Sequence, residues 1–189
     1  MVAPTISPGK KFGRTNGWDS RTGKTCAHTE RMIHPDVLQA HRLVNQLGNQ
    51  CSRPIPEQDN ADYGAATATS GTALIRFRVA KVTPRKVGLF VAVWRRSASG
   101  GTEPFPADHP TANNADFLVI SVREAGNSGH FLFPRSAVVT HGIGSVNGIG
   151  GKRGFRVYPP WSLTSNRQAR KTQEWQNPYF HAENGLPAS

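Results

Sequence analysis

From His34 onward the hydrophobic and polar positions fall into regular patterns, whereas residues 1–32 show none. In "HPDVLQAHRLVNQLG" the apolar residues Val37, Leu38, Val44 and Leu47 recur at helical spacing, with Pro35 in the first turn and Gly48 as a stop. That arrangement predicts a helix of about three turns. "NQCSRPIPEQDNADYG" reads as a loop that holds the acidic residues Glu57, Asp59 and Asp62. Residues 72–158 then read as a run of strands. In "ALIRFRVAKV" Ile75, Phe77 and Val79 alternate with Arg76 and Arg78, so the two arginines are expected on a plain exposed sheet face. "TPRKVG" is a turn, and "LFVAVWRR" is a largely buried strand with Trp94 near its end. "DFLVISVR" is a third strand, and "GNSG" leads into its hairpin partner "HFLFP". "RSAVVTHGI" reads as a short helix, while "KRGFRVYPPW" alternates as the last strand and is closed by Pro159 and Pro160. "SNRQARKTQEWQ" is a polar helix with Ser165 as its cap and Arg170 and Glu174 as an i,i+4 pair.

The order helix, strands, helix predicts an α+β domain, a mostly antiparallel central sheet flanked by helices. Its expected extent is residues 33–181. Residues 1–32 read as a disordered basic tail, or else as an extension upstream of a start at Met32, and residues 182–189 as a flexible C-terminal tail. A hydrophobic fraction of 37%, with 19 Gly and 14 Pro, fits a folded body with many turns and loose ends. No apolar run approaches the roughly 18 residues that span a bilayer, and no leader-like apolar stretch opens the chain. A soluble, cytoplasmic protein is the expectation. Cys26 and Cys51 have neither metal-ligand spacing nor a disulfide framework and read as free thiols. The seven histidines do not cluster at ligand spacing, so no metal and no cofactor is expected.

Charge changes the picture more. The chain carries a formal net charge of +11, and its distribution is uneven. Between Tyr63 and Thr102 lie Arg76, Arg78, Lys81, Arg85, Lys86, Arg95 and Arg96 without a single acid. Between Ala125 and Gln173 lie Arg135, Lys152, Arg153, Arg156, Arg167, Arg170 and Lys171, again without one. Like charges repel, so a surface normally mixes signs. Two such stretches, interleaved with Trp94, Tyr158, Trp161 and Trp175, point to a face for nucleic acid. Lys81, Arg85, Lys86, Arg95, Lys152, Arg153, Arg156 and Lys171 are the candidate phosphate contacts, with Trp94, Tyr158 and Trp175 as stacking groups. A membrane surface suits the chain less well, because no amphipathic helix pairs a basic face with large apolar residues. No obligate protein partner is evident. "GIGSVNGIGGKRG" lacks the Gly-Lys-Ser/Thr of a nucleotide-hydrolysing loop and precedes a strand, which excludes that chemistry. It remains either a loop that carries cations to phosphate or a hairpin connection.

Several blocks occur in a distinctive order: "ADYGAA", "RFRVAKVTPRKVGLFVAVWRR", "DFLVISV", "GHFLFP", "GKRGFRVYPPW" and "NRQARKTQEWQNPYF". In these the chain resembles the bacterial MepB-like family over residues 33–181. The resemblance implies a fold related to the restriction endonucleases and a role in binding nucleic acid. Cutting would need carboxylates that hold a divalent metal ion at the phosphate, usually an Asp followed on the next strand by Asp/Glu-x-Lys. The sequence contains no such Asp/Glu-x-Lys, which favours binding without cutting. Asp116 is the one weak catalytic candidate, with Glu57 and Asp62 more remote; the other reading of Asp116 is a strand-end cap or a partner for an arginine. Two alternatives therefore stand beside a non-catalytic binder. One is a metal-dependent nuclease with an atypical site, and the other is a pocket for a free nucleoside or nucleotide.

Overall fold

A proline in the first turn and a glycine just past the last one bound the first helix of the computed structural model, which describes residues 32–48, 50–108 and 115–183. The expected tails therefore fall almost wholly outside the described residues, as does Cys26. Helix α1 (Pro35–Gln46) starts where the His34 ring accepts a hydrogen bond from the Asp36 amide, 3.2 Å away. It buries Val37, Ala40 and Val44, while Leu38 and Leu47 of the predicted face are 40% and 50% exposed.

The strands follow as β1 (Ile55–Pro56), β2 (Ala66–Ser70), β3 (Ala73–Val79), β4 (Lys81–Thr83), β5 (Lys86–Ala92), β6 (Trp94–Arg96) and β7 (Thr102–Pro104). After them come β8 (Phe117–Glu124), β9 (Asn127–Pro134), α2 (Arg135–Thr140), β10 (Gly154–Val157), α3 (Arg167–Gln176) and β11 (Phe180–Ala182). The main sheet runs β1-β2-β3-β8-β9-β11, antiparallel except for the parallel pair β3/β8. A smaller sheet runs β10-β5-β4, and β6 and β7 form a separate hairpin. The fold class is thus α+β, as expected, with one parallel crossing. Three features were not legible in the pattern. Strand β2, "ATATS", is too weakly apolar to announce itself; the single segment "ALIRFRVAKV" divides between two sheets at Ala80; and residues 180–182 form a strand on β9 that reaches to Ala182, the first residue of the expected tail.

Each face of the main sheet is covered. On one side α1 packs Val37, Ala40 and Val44 against Ala66, Ala68, Ile75, Phe77 and Val119. On the other the small sheet contributes Leu89, Val91, Phe155 and Val157 to a core with Leu118, Ile120, Phe131 and Phe133. No helix among the described residues is long and apolar enough to cross a membrane.

The covered second face overturns the reading of Arg76 and Arg78 as a plain exposed surface. In the parallel register they lie opposite Leu118 and Ile120, on the side that the small sheet closes, and Arg78 is 1% exposed. Alternation reports which residues share a face but not whether that face is covered. Glu57 takes both cations, Arg76 at 2.9 Å and Arg78 at 2.5 Å. Arg78 also donates to the Phe77 carbonyl at 2.8 Å. Burial pushes the Arg78 guanidinium down from its ordinary value, and Glu57 opposes that shift.

A second polar cluster lies under α1. Ser121 Oγ donates to the Asp36 carbonyl at 3.0 Å, so the contact of 3.0 Å between Ser121 Oγ and His130 Nδ1 has the ring as donor. His130 is 2% exposed, and burial holds its pKa below the ordinary 6.5.

Two outcomes follow from these buried groups. Glu57→Gln leaves Arg78 buried without a counter-charge and is expected to cost about 3 kcal/mol or more in urea denaturation, with Glu57→Gln/Arg78→Met costing less. The unfolded chain protonates His130 below about pH 6.5 whereas the folded chain resists, so stability falls as pH drops through that value. Urea midpoints at pH 7.5 and 5 measure this difference, which His130→Gln is expected to shrink.

Candidate nucleic-acid interface

Acids absent from each basic stretch return from its flanks in space. Arg76 and Arg78 pair with Glu57, Arg95 with Glu103 at 2.9 Å, Arg96 with Asp59 at 3.5 Å and Arg135 with Asp116 at 3.3 Å. The remaining cations of the two stretches are Lys81, Arg85, Lys86, Lys152, Arg153, Arg156, Arg167, Arg170 and Lys171. Among the described residues none of these forms an ion pair. Arg170 and Glu174, expected to pair along the last helix, do not.

The register of the small sheet gathers part of this set. Lys81, Phe90 and Arg156 stand opposite one another across β4, β5 and β10, while Leu89, Val91, Phe155 and Val157 point inward. Two glycines shape this outer face. A Cβ on Gly154 would meet the Phe90 ring at 2.5 Å, and one on Gly88 would meet the Tyr158 ring at 2.5 Å. Both rings therefore lie across bare backbone and stay half-exposed. Tyr63 and Phe90 meet edge to face with ring centres 6.1 Å apart, and Lys81 Nζ sits 4.9 Å from the Tyr63 ring centre. Arg156 spans the sheet, donating to the Gly88 carbonyl at 2.9 Å and to Thr83 Oγ1 at 2.6 Å. At the β4–β5 turn Arg85 takes a left-handed φ of 63° beside Lys86, and both are exposed.

Helix α3 closes the free edge of β10 with side-chain amides. Gln176 is fully buried; it donates to the Arg156 carbonyl at 3.0 Å and accepts from the Tyr158 amide at 2.8 Å, replacing a strand neighbour. Gln173 donates to the carbonyls of Pro159 and Ser162 at 2.9 and 3.0 Å. The cap is Asn166, which accepts from the Ala169 amide at 2.7 Å, and not Ser165 one residue earlier. Between β10 and α3 opens a cleft of about 400 Å³ that Lys152, Arg156, Tyr158 and Trp175 line with His141 and Thr172. Trp175 packs on Phe133 at 5.3 Å, and His141 stacks on Trp175 at 3.7 Å with 11° between the planes. Lys152 Nζ donates to the His141 carbonyl at 3.3 Å. Partial burial, followed by the Lys152 charge, lowers the His141 pKa. Arg167, Arg170 and Lys171 are exposed on α3.

The structure thus places Lys81, Arg85, Lys86, Arg156 and Tyr158 on the small sheet, with Lys171 and Trp175 on α3; Lys152, next to Arg153 just before β10, reaches the α3 cleft from the far end of that sheet. Trp94, Arg95 and Arg153 fall at the opposite end of that sheet from Lys86, roughly 20 Å along β5 at the usual rise of a strand. There Arg153 donates to the Thr102 carbonyl at 2.8 Å, and Arg96 lies 5.7 Å from the Trp94 ring centre. Phe90, Tyr63 and His141 were not singled out from the sequence. Phe90 alternates with Leu89 and Val91 and was legible as outward-facing; Tyr63 and His141 reach their places only through tertiary packing.

Asp116 is held as a strand-end anchor. One carboxylate oxygen accepts from the Leu74 amide at 2.9 Å while the other faces Arg135. With Asp108 and Arg135 it borders a cleft of about 790 Å³. Glu57 is occupied by Arg76 and Arg78, and Asp62 is exposed in a short 3₁₀ turn. Among the described residues no three His, Cys, Asp or Glu side chains come together as metal ligands would.

The family model described as MepB-like matches residues 57–182, which takes in the strands from β2 onward and leaves α1 outside. A solved structure titled "Crystal Structure of MepB" is 33% identical and superposes with a TM-score of 0.66, covering 82% of this chain and 100% of that one. No curated protein matches the chain.

Replacing Gln176 by Ala strands the Tyr158 amide and the Arg156 carbonyl, at an expected cost of about 1–3 kcal/mol. Hydrogen exchange reads the local effect, with the Tyr158 amide exchanging faster in the variant than in the parent.

Proposed function

The chain belongs to the MepB-like family, and we propose that it binds nucleic acid, without cutting it, on the face shared by β4, β5, β10 and α3. The observation that carries this reading is the sorting of charge. Acids neutralise Arg76, Arg78, Arg95, Arg96 and Arg135, yet among the described residues the cations along this face keep no acidic partner and stand beside half-exposed aromatic rings. Fixed, unneutralised cations at a surface release the counterions of a phosphate backbone, and aromatic rings stack on bases whatever their sequence. In this reading Lys81, Arg85, Lys86, Lys152, Arg156 and Lys171 neutralise phosphates, and Tyr158 and Phe90 offer ring faces. Arg153, Arg95 and Trp94 form an outlying extension of the same surface.

The reading extends to DNA as one ligand, to the cytoplasm as the compartment, and to kinship with the restriction endonucleases for the sheet. Support for binding without cutting comes from the carboxylates. Asp116 would have to release both Arg135 and the Leu74 amide to hold a metal ion, and Glu57 would have to abandon the buried Arg78.

Fluorescence anisotropy of a labelled oligonucleotide between 50 and 200 mM KCl tests the proposal. Affinity is expected to fall steeply, with a log–log slope of about −0.7 to −0.9 per phosphate neutralised. Lys81→Ala and Lys86→Ala are each expected to flatten that slope by about one unit or slightly less. Affinity that ignores salt over this range sinks the idea. DNA and RNA are expected to stay intact with Mg²⁺ or Mn²⁺, and Asp116→Ala to lower thermal stability instead of abolishing a cleavage.

A further inference from the structure

The cleft between β10 and α3 has more features than a phosphate track needs, and we infer that it receives one unpaired nucleotide of the bound strand, its base stacked on His141 and its phosphate at Lys152. This inference rests on the nucleic-acid reading and narrows it to strands with an exposed base. Its volume of about 400 Å³ is within the range of roughly 300–1,000 Å³ typical of small-ligand sites. The wall is a ready-made stack. Trp175 packs against Phe133, and His141 lies flat on Trp175 and lines the cleft, so a base stacked on His141 becomes the third parallel ring. Burial and the neighbouring Lys152 favour the uncharged imidazole, which needs no counter-ion to stack.

Polar groups for a base edge line the same cleft. Asn166 spends its side-chain oxygen on the α3 cap, which leaves its NH₂ unused, and the Gln168 amide makes no hydrogen bond among the described residues. Both residues sit at the start of α3, beside Thr172. An amide with both a donor and an acceptor suits the Watson–Crick edge of a base that is not already paired. In a duplex that edge is occupied, and extracting a base costs unstacking energy that a single strand largely avoids. The cleft therefore selects single strands, whereas the Lys81–Arg156 surface alone accepts either form.

The test uses the full chain and an oligothymidylate carrying one 2-aminopurine, whose fluorescence is quenched when it stacks. Wild type is expected to bind the strand and quench the probe, and to bind a duplex of the same length at least tenfold more weakly. His141→Ala is expected to weaken single-strand binding about tenfold and to abolish quenching at saturation. Thr172→Glu, which places a carboxylate in the cleft without touching the stack, is expected to do the same. Circular dichroism and melting temperature check that both variants fold. Lys81→Ala/Lys86→Ala weakens binding yet still quenches once saturated. Salt-sensitive binding without quenching, or quenching that survives both His141→Ala and Thr172→Glu, overturns the pocket and leaves the wider reading standing. Absence of binding to any strand removes both. Deoxyadenosine monophosphate binding as tightly as the strand, by calorimetry, overturns the assignment to a strand and gives the cleft to a free nucleotide.

Discussion

One carboxylate, Glu57, holds two guanidiniums on the inner face of β3, and the closing of the two sheets depends on it. Arg76 and Arg78 project into the layer where Leu118 and Ile120 meet Leu89 and Val91. A bare guanidinium there would keep the sheets apart, because moving an unpaired charge out of water costs several kcal/mol. Glu57 removes that obstacle from its place directly after β1. The turn it belongs to also holds Asn60, whose amide donates to the Trp94 carbonyl at 2.6 Å, and Asp59, which accepts from the Arg96 amide at 2.9 Å. The acidic segment 57–62 is thus a clasp between the main sheet and the β6–β7 hairpin.

The clasp also sorts charge. By drawing Glu57 and Asp59 to one side of the molecule it neutralises arginines there, while Glu103 and Asp116 do the same for Arg95 and Arg135. Among the described residues the cations of β4, β10 and α3 are left without acids, and packing at the opposite surface of the small sheet leaves its aromatics half-exposed. Fold stability and surface chemistry here come from the same allocation of few acids among many bases. Gly88 and Gly154 add the geometric part, since a side chain at either position would lift Tyr158 or Phe90 off the sheet.

Helix α3 shows how little of such a site needs to be loop. Gln176 serves as a surrogate strand for β10 and Gln173 ties down the Pro159 turn, so side-chain amides of the helix hold the cleft wall to the strand. Trp175 belongs to both, touching Phe133 inside and His141 outside.

By itself the sequence determined the periodic elements, the α+β class and the two basic stretches, because hydrophobic spacing and charge are local properties of a chain. Asn166 in place of Ser165 as the cap shows that this local reading is good to about a residue. It did not reveal that β3 carries its arginines inward, since the cover over that face comes from strands encountered later in the chain. Nor did it reveal which cations keep their charge exposed. Glu57 lies 21 residues from Arg78 in the sequence, yet the two are in contact. His141 came to the cleft the same way, carried there by the turn after α2 and held by a tryptophan 34 residues further on. Tertiary structure decided both matters, because neutralisation and stacking depend on distance in space and the pattern along the chain records only order.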